Sequence, residues 1–398
     1  MKRRLLKALK WISLAGISAL LALLIFLVIE HRTEVTLPTP TGPFAVGRAI
    51  YDWKDDAAPD PASSPQGKRE VLAWMWYPAA GHSSETTDYL PAGIHPPAAP
   101  TTLFGLLTRN RVRAHAVDGA AVSSQQNSYP LLIMRGGASA PVINYSSLAE
   151  DLASHGYVVV GIDAPYRTGR IVFPDGRVVF RSRENNPELA TGAEFSRLGE
   201  RLLSAWIADM RFVLDRLAEI NGHDPSGKFT GRLDLTRVGA FGHSFGGAQA
   251  AQFCHDDARC KAGVDIDGSP VGSVIQDGLH QPFMFLLSDH GDTQSDPESR
   301  KIVSDIHSIY DRLPADKRIW AVISGAFHFT FSDDGALLKS RLIRGVLKVL
   351  GKLRISGSRQ LEVTTYSLRT FFDGALKGSH AVAPDLRSPS YPELRVLH

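Results

Sequence analysis

A serine hydroxyl attacks an acyl carbon at neutral pH only when a turn lifts it clear of the chain and a neighbouring base takes its proton. Gly242-His243-Ser244-Phe245-Gly246, with Gly247 behind it, has the residue types for such a turn. Glycines two residues either side of Ser244 let strand and helix approach where side chains would collide, and they tolerate unusual dihedrals. The flanks agree with this. Residues 235–241 read as a short buried strand, and residues 245–254 read as a helix with small residues facing a sheet. An ordinary Gly/Ser-rich turn needs neither flank.

His328 is the expected base. It follows the apolar run 318–324 in a loop of small residues, Gly325-Ala326-Phe327-His328, that lets it reach the turn. The base in turn needs a carboxylate to hold its tautomer. Asp267 ends the run 262–267, while Asp289 and Asp292 follow the run 282–288, so three aspartates are placed for the role. Asp265 shares a strand face with Asp267 and suits a structural polar contact instead. The oxyanion of an acyl-transfer intermediate needs two preplaced N–H donors. Phe245 supplies one from its backbone, and the turn Arg135-Gly136-Gly137-Ala138 supplies the other, with Gly137 the expected donor.

These residues must be held by a sheet. Apolar runs at 71–78, 129–134, 157–163, 262–267, 282–288 and 318–324 read as strands, and helical patterns fall at 146–155 and 195–220. The stripe Leu198, Leu202, Trp206, Met210, Val213, Leu217 belongs to a core-facing helix. Residues 170–180 read as a hairpin turning at Pro174-Asp175-Gly176. Such alternation predicts an α/β domain with a mostly parallel sheet and helices on both faces, whose ligands bind beyond the carboxyl ends of the strands. Ser244, Asp267 and His328 all fall at that edge.

The expected organisation is a basic segment at 1–10, a membrane span at 11–29, a tether and edge hairpin at 30–70, a catalytic domain at 71–377 and a tail at 378–398. Within the domain, residues 79–128, with a short helix around 103–112, form either a cap near the site or a surface loop. Five of the 44 basic residues precede residue 11, leaving 39 against 41 acidic, which excludes an electrostatic footprint for nucleic acid. As a helix, the uncharged run 11–29 would be about 28 Å long, close to the hydrocarbon thickness of a bilayer. The basic flank predicts a cytoplasmic N-terminus and an extracytoplasmic domain; a secreted form after signal cleavage is the alternative. Cys254 and Cys260 form either a small disulfide loop or two buried thiols, and their spacing fits no zinc site. The basic, apolar-interleaved segment 336–359 reads as a core-covering helix with a solvated face, the alternative being a helix that approaches anionic lipid. The tail has no readable role.

Taken together, the chain resembles the secreted and type II platelet-activating factor acetylhydrolases. The resemblance rests on Trp76-Tyr77-Pro78, Leu152-Ala153-Ser154-His155-Gly156-Tyr157, the Ser244 turn, Gly263-Val264-Asp265-Ile266-Asp267 and Gly325-Ala326-Phe327-His328, with a weaker echo at residues 367–372. It implies an α/β-hydrolase fold and a calcium-independent serine esterase that removes short or oxidised acyl chains from phospholipids, with no metal or cofactor. It also favours Asp267 as the acid, with Asp292 the runner-up, because most α/β-hydrolases carry the acid one strand later. Arg135 departs from the family's usual His and pairs either with a phosphate or carboxylate of the substrate or in a surface salt bridge. The Gly-Ser after Asp267 replaces larger family residues and implies a differently shaped acyl pocket. The alternatives are an esterase for another small ester or polyester, and a non-enzymic binding protein on the same scaffold. The sequence does not set the oligomeric state.

Overall fold

The computed structural model describes residues 2–60, 62, 67–81, 86–91, 94, 111–289, 297–337, 341–351, 354–378 and 384–397. Strands β1 (Ala45–Pro59), β2 (Lys68–Ala79), β3 (Tyr129–Arg135), β4 (Val158–Asp163), β5 (Leu233–His243), β6 (Cys260–Ile266), β7 (Phe283–Ser288), β8 (Arg318–Ile323) and β9 (Leu394–Leu397) join one sheet. Their spatial order is β9-β8-β7-β6-β5-β3-β4-β2-β1, with Val117–Asp118 added beyond β1. The six strands from β4 to β8 in that order run parallel. Antiparallel pairs close both sides, β1 with β2, β2 with β4, and β8 with β9. This is the α/β-hydrolase arrangement that the sequence predicts.

Helices cover both faces. The longer described helices are α1 (Lys2–Arg32), α2 (Ser146–Ser154), α3 (Gly192–Gly222), α4 (Phe245–Asp256), α5 (Pro297–Tyr310), α6 (Arg341–Val349) and α7 (Gly357–Phe372). One core unites α3, α4 and α5 with the sheet through Trp206, Met210, Leu217, Phe253 and Ile309. The other core sets α2 and α7 against the opposite face through Leu148, Leu152, Leu368, Phe371 and Phe372. Such side chains are fully buried, so truncating Leu217 to Ala is expected to cost about 2–5 kcal/mol. Residues 170–172 and 178–180 pair antiparallel, as the hairpin pattern predicts.

Three regions differ from the expectation or complete it. The tail, whose role the sequence does not show, supplies Leu394–Leu397 as the antiparallel edge strand beside β8. The core-covering part after β8 is α7, which carries the apolar stripe; α6 instead leaves Val346 and Val349 exposed. Cys254 and Cys260 form a disulfide with Cα atoms 4.9 Å apart, tying the end of α4 to the start of β6. Part of the expected cap, residues 82–85, 92–93 and 95–110, lies outside the described residues, as does its short helix apart from its last residues, and Val112 opens the strand Val112–Ala114. Within α1, residues Leu9–Glu30 are long and apolar enough to cross a membrane, with a mean hydropathy of 2.8.

Candidate active site

Strand β5 ends in buried His243, and α4 starts at Phe245, so the whole change of direction falls on Ser244. Its backbone adopts φ 56° and ψ −125°. A non-glycine residue held in such a region costs of order 1–3 kcal/mol and persists only where its surroundings fix it. Here the Ser244 N–H donates to the Ile266 carbonyl at 2.8 Å, and the Gly247 N–H donates to the Ser244 carbonyl at 2.9 Å. A Cβ at Gly246 would lie 2.6 Å from the carbonyl oxygens of Arg135 and Gly136, and one at Gly242 would meet the Gly246 carbonyl. The glycines are thus required by close backbone approach.

Asp267 follows β6, also at positive φ, 53°. Its Oδ1 accepts the Ser288 N–H at 2.8 Å, and its Oδ2 accepts the Ser288 hydroxyl at 2.7 Å. His328 Nδ1 lies 2.8 Å from the same Oδ2. A proton on Nδ1 in this contact leaves Nε2 as an acceptor. The Asp267 side chain is fully buried whereas that of His328 is 29% exposed, so the imidazole alone of the two reaches the surface. Among the described residues no hydrogen bond joins Ser244 Oγ to His328; in substrate-free sites such bonds are often long and tighten on binding.

The histidine loop is braced from behind. Asp289 Oδ2 accepts the Gly325 N–H at 3.0 Å. Gln360 of α7 accepts the Phe327 N–H at 3.2 Å and donates to the Phe327 carbonyl at 3.1 Å. Sequence reasoning missed both Ser288 and Gln360; Ser288 had a signal, since it ends the strand beside the one ending in Asp267. The runner-up Asp292 lies outside the described residues.

Two expected roles change. The Gly137 N–H donates to the Tyr145 hydroxyl at 3.0 Å, and that hydroxyl lies 2.9 Å from His243 Nδ1. The Gly137 donor is therefore engaged, while the next residue, Ala138, lines the cleft beside Ser244 and Phe245. Neither Ala138 nor Phe245 spends its N–H in a hydrogen bond among the described residues. Arg135 is not a substrate-facing cation, because it is only 3% exposed. Its Nε donates to Gln249 at 2.8 Å, and its guanidinium stacks 3.4 Å from the Trp206 ring centre. Burial pulls its pKa down to about 9, against the opposing pull of Asp163 and Asp209.

His243 packs against His328 with ring centres 4.5 Å apart. Burial, followed by the neighbouring His328, lowers its pKa to about 3, so it serves as a neutral spacer under the base. A cleft of about 1030 Å³ opens from Ser244 between α3 and residues 269–276. Around His328, Phe327 and Phe329 are both exposed, with ring centres 5.6 Å apart. The arrangement joins a strained serine, an imidazole held by a carboxylate, and two amides without a hydrogen bond among the described residues, Phe245 at the start of α4 and Ala138 in the loop after β3. Such an arrangement has the groups that acyl transfer requires.

The sequence profile of the family "Platelet-activating factor acetylhydrolase, isoform II" matches residues 29–167 and 220–379. A probable 1-alkyl-2-acetylglycerophosphocholine esterase of Arthroderma benhamiae is 27% identical, over 91% of this chain and 93% of its own length. The platelet-activating factor acetylhydrolase of Cavia porcellus is 24% identical, over 82% of this chain and 75% of its own length. Among solved structures, a ferulic acid esterase from Streptomyces cinnamoneus is similar with a TM-score of 0.67 and 26% identity, covering 91% of this chain and 99% of that one.

Proposed function

The chain belongs to the isoform II platelet-activating factor acetylhydrolase family and is a carboxylic ester hydrolase, and we propose that it cleaves short or oxidised sn-2 acyl groups from phospholipids through an acyl-enzyme on Ser244. The observation that carries this reading is the 2.8 Å contact of His328 Nδ1 with Asp267, in a site where Ser244 holds a strained elbow. His328 Nε2 takes the Ser244 proton as Oγ adds to the carbonyl carbon. The oxyanion faces the N–H groups of Phe245 and Ala138; losing one such donor costs about 10²–10³ in rate. The imidazolium then protonates the departing glyceryl oxygen, and the C–O bond breaks. A water next gives its proton to His328 and attacks the acyl-enzyme, releasing the carboxylic acid and restoring the Ser244 hydroxyl. Exposed Phe327 and Phe329 beside His328 suit the apolar part of a lipid leaving group.

The similarity to a ferulic acid esterase across 99% of that chain favours one second reading, an esterase for another small ester. Turnover of a 1-alkyl-2-acetyl glycerophosphocholine, compared with p-nitrophenyl acetate, separates the two. The first reading expects a kcat/KM for the phospholipid at least equal to that of the simple ester. Hydrolysis of the simple ester alone supports the second.

The same proposal places the domain outside the cytoplasm on a single N-terminal span. The Leu9–Glu30 helix, only 6% buried, supports a span or a signal sequence, and the Cys254–Cys260 disulfide suits an oxidising compartment. Retention of full-length protein in membranes after alkaline washing supports the anchor, whereas a soluble product beginning after residue 29 supports cleavage.

A further inference from the structure

The cleft that opens from Ser244 has a direction. One end is formed by Ala138, Ser244 and Phe245, the nucleophile and the two proposed oxyanion amides. No residue of the histidine loop lines it. In ester hydrolysis the leaving oxygen must lie beside His328, which protonates it, while the acyl carbon sits between Ser244 and the oxyanion donors. A space that begins at the oxyanion side and does not touch the histidine loop therefore lies on the acyl side. Its length follows α3, from Phe195 to Arg211, a run of about 24 Å at 1.5 Å per residue.

The walls are apolar where a chain would run, with Leu203 and Ile207 on α3 facing Phe245, Val271 and Ile275. The two basic side chains on the lining are already paired. Arg211 lies 3.7 Å from Asp257 and 4.0 Å from Asp256, and Lys301 pairs with Asp305. With both cations engaged by carboxylates, the apolar side chains of Leu203, Ile207, Phe245, Val271 and Ile275 are what the cleft offers to an acyl chain. At about 1030 Å³ the cleft is in the range that encloses drug-sized ligands, far more than an acetyl group fills. Gly199 lines the α3 wall, and a Cβ there would meet nothing within 4 Å, so the position has room for a larger side chain.

We infer that this cleft is an acyl subsite for an extended apolar chain longer than acetyl, and that Gly199 determines its length preference. The inference rests on the reading of Ser244 as nucleophile and sets the acyl end of the substrate. Each methylene buried along the cleft is expected to raise kcat/KM by about two- to fourfold until the cleft is filled.

The test uses the full chain in detergent below its critical micelle concentration. p-Nitrophenyl esters from acetate to dodecanoate are compared with a second series of acetate esters of increasingly long alcohols. The wild type is expected to show kcat/KM rising from acetate to at least octanoate. Gly199→Trp is expected to lower the octanoate-to-acetate ratio at least tenfold, Gly199→Ala by less than threefold, and neither to change the order of the alcohol series. A wild-type profile that falls from acetate onward overturns the inference, as does a ratio unmoved by Gly199→Trp or a response confined to the alcohol series. Should Gly199→Trp fail to fold, Ser196→Trp on the same wall supplies the plug, and the wild-type profile decides in either case. Turnover that survives in Ser244→Ala marks failure of the nucleophile reading itself, independently of the chain-length result.

Discussion

Asp265 lies within β6 and Asp267 just beyond its end, two residues apart, yet they are treated in opposite ways. Asp267 receives the Ser288 amide and hydroxyl and meets His328, so both of its oxygens have donors. Among the described residues Asp265 receives only the Gly268 N–H, at 2.8 Å, and its buried Oδ2 has no hydrogen-bond partner. Burial pushes the Asp265 carboxyl up to about 8; the Gly268 amide opposes this, and the nearby Asp267 adds to it. Residue type is shared and both carboxyls are buried, so their partners distinguish a carboxylate that orients an imidazole from a carboxylic acid that fills space under the elbow.

The sharpest way to break this comparison is Asp267→Asn. Loss of the orienting carboxylate is expected to reduce kcat/KM by about 10⁴-fold, read in steady-state ester hydrolysis, with Tm nearly unchanged. Comparable activity in Asp267→Asn and wild type would return the role to the later strand. Asp265→Ala is expected to do the reverse, lowering stability by about 1–3 kcal/mol in denaturant titration while folded enzyme stays active.

A pH series sharpens the same contrast. The Asp265 carboxyl keeps its proton in the folded state up to about pH 8 and loses it near 3.8 when unfolded. Folded protein therefore binds the extra proton between those values. This group's contribution is fully present below pH 3.8 and is lost as pH rises toward 8, with a slope of at most about 1.4 kcal/mol per unit. Asp265→Asn removes that part of the slope, so its Tm should gain on wild type from pH 5 to pH 8. Parallel curves would mean that Asp265 is ionised throughout.

Smaller effects are expected around the Asp267 pair. Ser288→Ala removes the hydroxyl donor to Asp267 and should lower kcat/KM about 10-fold, the scale of one hydrogen bond to a charged group. Asp289→Asn keeps an acceptor for the Gly325 amide, so a change of about threefold or less is expected, and Asp292→Asn should be smaller still. Either asparagine variant losing more activity than Ser288→Ala would contradict the geometry.

The strands and helices that place the site were legible because their periodicity is strong and local. The Ser244 elbow was legible too, since steric necessity leaves glycine at 242 and 246. Asp267 could be separated from Asp289 and Asp292 only through the family resemblance, because all three follow strands of one sheet and composition does not rank them. What sequence missed depends on contacts made across the fold. Gly137 loses its free amide to Tyr145, and Arg135 turns inward onto Trp206, a residue 71 positions further along the chain. Leu394–Leu397 pairs with β8 from a proline-bearing tail, a four-residue pattern too short to read without its partner.

The most direct test of the central claim is fluorophosphonate labelling of the full chain, with the modified peptide identified by mass spectrometry. The account predicts a single adduct on Ser244, absent in Ser244→Ala, lost in His328→Ala and slowed in Asp267→Asn. A folded, ester-hydrolysing wild type that takes up no label at Ser244, or a Ser244→Ala variant that keeps full turnover, would contradict it.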